Sequence, residues 1–291
     1  MKHQMPVVAK LLLLFFLAQC IGILVLLQYI DFTTTAQTGE TTFVPDAYVV
    51  QPLQIENETL SFIPIIIAVL IATALIFVII KYNILRLWKI WFLLSVSVTL
   101  SFAFYPFIQR VLPNQTVTIV LTILIALFLG IWKIFRPNQH VHNFTELFIY
   151  GGLAAILVPI LNIYSAIVLL TLIAVYDFYM VFISKHMVTL AESSMKSEML
   201  AGVWVKSQLG NRKVSKEVKP PMRKRGRPKK MIDPSPHKPY QVASHAIIGG
   251  GDIAFSLLFA GAVMKFTGSI FSGIIIAIST TIALSLLFIF V

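Results

Sequence analysis

The stretch IIGGGDIAFSLLFAGAV, residues 247–263, sets an aspartate behind three glycines at the head of an apolar run. A carboxylate at the centre of a bilayer costs about 2.5–3.5 kcal/mol even on lenient insertion scales, so Asp252 needs a reason if that run crosses a membrane. The composition says that it does. The chain is 58% hydrophobic and 12% charged with a mean hydropathy of +0.87, well outside the range of soluble domains.

Working outward from Asp252, apolar runs of the roughly 20 residues needed to cross about 30 Å of hydrocarbon recur along the chain. They predict spans near 7–30, 61–80, 90–109, 116–135, 144–160, 162–184, 244–264 and 268–291. The expected fold is therefore an all-α polytopic membrane protein of about eight transmembrane helices. The first run resembles a signal peptide ending in LAQC, but Gln19 is not the small residue a cleavage site wants before Cys20, and the run continues to Ile30, so a retained anchor is expected. Cys20, the single cysteine, has no internal disulfide partner.

Basic residues are retained on the cytoplasmic side, and their placement puts the N-terminus there. Lys2, Lys10, Lys81, Arg86, Lys89, Lys133 and Arg136 fall inside, with Arg110 and Lys265 as exceptions, and the first outer loop carries acids but no basic residue. Three segments are expected: spans one to six over 1–184, a cytoplasmic basic loop over 185–243, and spans seven and eight over 244–291. The loop holds a surplus of ten positive charges out of the net +11. Its start, KHMVTLAESSMKSEMLAGVWVK, has near-helical spacing and predicts an interfacial helix, whereas KEVKPPMRKRGRPKKMIDPSPHKPY reads as a disordered tether. KRGRPKK contains the core of a minor-groove AT-hook, but attraction to anionic lipid explains any basic juxtamembrane segment, and lipid is the expected partner over DNA.

Of twelve acids, three touch the spans: Glu146, Asp177 and Asp252. Glu146 stands three residues after Asn143, the spacing of a capping box at the start of span five, and is assigned to capping. Asp177 lies eight residues before Lys185, and Asp252 eight residues after Ser244, on antiparallel spans leaving the same loop. At 1.5 Å per residue both carboxyls are about 12 Å deep and can face one another. No Lys, Arg or His lies at comparable depth in either span to pair with them, and His245 is read as a boundary residue. Two close carboxyls repel, so that one stays protonated while the other acts as base; between them a water can be activated and a peptide carbonyl polarised. The same pair could carry ions or protons in a transporter or leak channel. No metal or other cofactor is expected.

Tyr176-Asp177 in the sixth span and Gly249-Gly250-Gly251-Asp252 in the seventh resemble the YD and GxGD motifs of the presenilin and signal-peptide-peptidase family of intramembrane aspartyl proteases. SKHMVTLAES, just after the first motif, is similar to archaeal presenilin homologues in particular. The resemblance implies that Asp177 and Asp252 form a catalytic dyad, that Tyr176 and the three glycines shape the site, and that the substrates are transmembrane helices or signal peptides cut within the membrane. Gly249 and Gly251 are expected to let backbone approach the dyad closely, and the segment with Val188, Thr189 and Leu190 to offer a gate or a strand edge to an unwound substrate. Prepilin peptidases also use GxGD and are the alternative protease family. The family carries a ninth span with a Pro-Ala-Leu motif that is not found in these 291 residues. The expectation is that the natural gene continues into such a span and that the chain ending at Val291 is inactive or nearly so.

Overall fold

The computed structural model describes residues 5–47, 58–82, 84–112, 114–136, 138–179, 201–206 and 245–290. The helices are α1 (Met5–Tyr29), α2 (Phe32–Thr38), α3 (Phe62–Lys81), α4 (Leu85–Gln109), α5 (Gln115–Phe135), α6 (Gln139–Leu157), α7 (Ile163–Phe178), α8 (Gly250–Thr267) and α9 (Ile270–Phe290). All but α2 coincide with the eight predicted spans. By length and composition seven can cross a bilayer, while α7 is apolar but 16 residues long as described. Two strands, β1 (Gly202–Lys206) and β2 (His245–Gly249), pair antiparallel with Val203 opposite Ile248 and Val205 opposite Ala246.

Helix α1 runs through the centre of the bundle and packs on α6, α8 and α9, with Leu11, Ala18, Val25 and Leu26 buried. Glycines let the helices approach: a Cβ on Gly152 would come within 1.8 Å of the Thr99 carbonyl of α4, and one on Gly151 within 3.3 Å of the Gly22 Cα of α1. Small residues at such crossings are how helices associate where lipid removes the hydrophobic drive. The outer faces are apolar and exposed, as in Leu124 and Phe128 of α5 and Ile275 of α9. The chain beyond α1 opens into α2, whose N-cap is Asp31. Hydrogen bonds from the Thr34 hydroxyl and backbone N–H hold the Asp31 carboxyl below the usual carboxylate range.

Three expectations change. Residues 245–249 are strand, so the seventh span begins at Gly250 and is 18 residues long, about 27 Å of helix and near the minimum for a crossing. The β-branched pair Ile247-Ile248 followed by three poor helix formers favours this break, which hydropathy alone does not register. The predicted interfacial helix over 185–206 is a strand over the part described, Gly202–Lys206. Its remainder, the KHMVTLAES segment and the basic tether lie outside the described residues. Finally, α6 begins at Gln139 with Asn138 as its cap, seven residues before Glu146, so Glu146 is not a capping residue.

Candidate active site

Asp177 stands in the last turn of α7 as described, with Tyr176 half-buried before it; Asp252 stands in the first turn of α8. The two helices run antiparallel and pack on each other, so both acids lie at the same end of the pair. Both are exposed at the protein surface. Asp177 and Asp252 thus lie at the same end of the packed pair, with Asp252 at the start of α8.

The glycines differ in their surroundings. A Cβ at Gly249 would meet the Asp252 Oδ2 at 3.5 Å and one at Gly251 the Phe255 ring at 3.5 Å, both ordinary contacts. At Gly250 it would lie 2.7 Å from the Tyr150 hydroxyl and 3.4 Å from the Ala201 backbone. The tight position is the middle glycine, not the outer two. Gly250 also donates its backbone N–H to the Ala201 carbonyl at 3.2 Å, which ties the start of α8 to the residue before β1.

Behind Gly250 lies a buried polar group that sequence reasoning missed. Glu146 is 2% exposed, accepts a hydrogen bond from the Tyr150 hydroxyl, pairs with Lys133 of α5, and lies 3.7 Å from His142 Nε2. The Lys133 ammonium also sits 5.7 Å from the centre of the Phe92 ring. His142 Nε2 is 2.8 Å from the Gly202 carbonyl; since a carbonyl only accepts, that nitrogen carries the proton. Asn143 donates from Nδ2 to the Trp204 carbonyl at 2.8 Å and accepts the Trp204 N–H at 3.1 Å. On the other side Gln19 of α1, fully buried, donates to the Ile253 carbonyl at 3.0 Å, one residue from Asp252. The signal in the sequence is the run His142, Glu146, Tyr150, which repeats every four residues and so marks one polar face on an apolar helix.

Among the described residues no cluster of three or more His, Cys, Asp or Glu side chains is arranged to hold a metal ion. What the site offers is two carboxyls beside the end of a β-ribbon.

A family model described as signal-peptide peptidase, presenilin aspartyl protease matches residues 49–291. Comparison with curated protein sequences gives no match. Among solved structures, one of a presenilin-family intramembrane aspartate protease in space group C222 superposes with a TM-score of 0.51 and 17% identity, covering 88% of this chain and 75% of that one. At that identity the likeness concerns the fold, and it is to a multi-pass membrane protein. Because the family model spans most of the sequence, including both aspartates and the ribbon between them, the chain belongs to the signal-peptide-peptidase and presenilin family of aspartyl proteases.

Proposed function

We propose that the protein hydrolyses peptide bonds within transmembrane helices or signal peptides, with Asp177 and Asp252 as the catalytic dyad. The observation that carries this reading is that the two acids stand at one end of a packed antiparallel helix pair, beside the end of the β-ribbon. One carboxyl, kept protonated, donates to the scissile carbonyl oxygen while the other takes a proton from water. The water oxygen bonds to the carbonyl carbon, and the tetrahedral intermediate then breaks its C–N bond as the amine leaves with a proton returned by the dyad. The site must also accept extended backbone, because a helical substrate hides its carbonyls in its own hydrogen bonds. The ribbon edge ending at Gly249 supports this, since strand addition satisfies the freed groups in a setting without water. Tyr176 and the glycines 249–251 shape the floor and wall of this cleft.

The test is cleavage of a transmembrane-helix peptide by purified protein in detergent, with mass spectrometry of the products. Asp177→Asn and Asp252→Asn should each reduce the rate by about 10²- to 10⁴-fold with the helical circular dichroism unchanged. Substantial activity in either variant would overturn the assignment.

A further inference from the structure

The β1–β2 ribbon has two edges, and the structure treats them differently. Backbone groups of alternate strand residues point to opposite edges. Trp204 directs both its N–H and its carbonyl at the Asn143 amide, and Gly202 directs its carbonyl at His142, so the outer edge of β1 is occupied by side chains of α6. A primary amide presents a donor and an acceptor side by side, and here Asn143 mimics the neighbouring strand that β1 lacks. The same alternation sets Val203 and Val205 toward β2, and leaves Ile247 and Gly249 pointing away from β1 along the edge that leads to Asp252. One face of the ribbon, formed by Val203, Val205, Ala246 and Ile248, is buried, and the strands pack on α1. Among the described residues nothing pairs with the β2 edge.

We propose that Asn143, supported by His142, is a positioning residue that closes the β1 edge to extended peptide, so that substrate adds at the β2 edge and in one register relative to Asp252. The inference rests on the protease reading. Closing one edge matters because a strand added at β1 would lie across the ribbon from Asp252, whereas one added at β2 continues past Gly249 to it. The fixed anchor of β1 on α6 in turn fixes β2, since the two share their ladder. Asn143 touches no reacting group, and its effect is on which bond is cut.

The experiment uses the full chain with Asn143→Ala and Asn143→Asp, the second retaining the acceptor for the Trp204 N–H but lacking the donor to its carbonyl. Hydrogen exchange read by mass spectrometry should show the Trp204 amide exchanging roughly five- to tenfold faster in Asn143→Ala, the weight of one or two lost hydrogen bonds, with Asn143→Asp between it and the parent. In the cleavage assay both variants should spread their products over neighbouring peptide bonds, with KM raised and kcat less affected. Products from the same bonds in the same ratio, in a variant whose Trp204 amide is released, would overturn the proposal. Unchanged exchange would overturn it too. If Asn143→Ala does not fold, Asn143→Asp decides by the same readouts. Failure of the protease reading looks different: the parent protein then cuts nothing, or cuts equally well without Asp177 or Asp252.

Discussion

At the scale of single residues, the buried ion pair and the middle glycine are where chemistry and packing are most tightly bound. Glu146 neutralises Lys133 out of contact with water, and removing one member of such a pair strands the other charge. Glu146→Gln should therefore destabilise the protein by about 3–5 kcal/mol, while Lys133→Met combined with Glu146→Gln should cost far less than the two changes added. Thermal unfolding in detergent measures both; additive effects would mean that the two groups do not depend on each other. At Gly250 the obstacle is the Tyr150 hydroxyl, 2.7 Å from where a Cβ would stand. Gly250→Ala should lose stability and Tyr150→Phe should restore part of it by removing that oxygen. Gly251→Ala meets only ordinary contacts within a helix and should be neutral or stabilising by up to about 1 kcal/mol. If Asp177 and Asp252 share a proton, the pH profile of cleavage is bell-shaped, with limbs belonging to the pair and not to either acid. Cleavage that rises steadily to high pH would point to another nucleophile.

At the scale of elements, what was legible in the sequence is what hydropathy and charge encode. Eight helices lie where apolar runs of membrane length lie, and Asp177 and Asp252, each eight residues from the loop that joins their spans, fall at one end of a packed helix pair. What hydropathy does not encode is the choice between strand and helix in a short apolar run, so HAIIG reads as part of the seventh span and GVWVK as part of an interfacial helix, while both are strands. Each strand is defined by a partner about forty residues away and by side chains on a third element, information that no local window holds. Asn143 and Glu146 have the spacing of a capping box for the same reason, but their partners are on β1 and α5. Helix contacts separate glycines that fill space from those that let a neighbour in. Gly22 faces the flexible end of Leu257, whereas Gly152 faces the backbone of Thr99. Gly152→Ala should consequently cost about 1–3 kcal/mol or more by forcing α4 and α6 apart. Gly22→Ala, where a side chain can turn aside, should cost less, and equal melting temperatures for the two would refute this distinction.

At the scale of the whole molecule, α7 and α8 carry Asp177 and Asp252 at one end of the pair and are tied together at the other. Lys265, an exception to the charge pattern of the loops, is buried there; its ammonium donates to the carbonyls of Pro159 and Leu161, both at 2.9 Å, and lies 3.5 Å from Glu58. Those carbonyls belong to the turn that starts α7, which Asn162 then caps through Ser165 in a reciprocal box. From the start of α7 at Ile163 to Asp177 is about 21 Å of helix, and from Lys265 back to Asp252 about 20 Å, so the two acids stand nearly equally far from this anchor. A contact at one end of the pair is therefore expected to set the relative height of the two carboxyls at the other. Lys265→Met removes the donor from two buried carbonyls and should cost about 1–3 kcal/mol. It should also let α8 slide against α7, so cleavage should fall further than in Gly152→Ala brought to the same fraction folded. Temperature-matched rates for the two variants provide the comparison. If Lys265→Met cuts as fast as Gly152→Ala at equal folded fraction, the anchor contributes stability alone, and the height of the dyad must be set by the β-ribbon and the packing of α8 on α1.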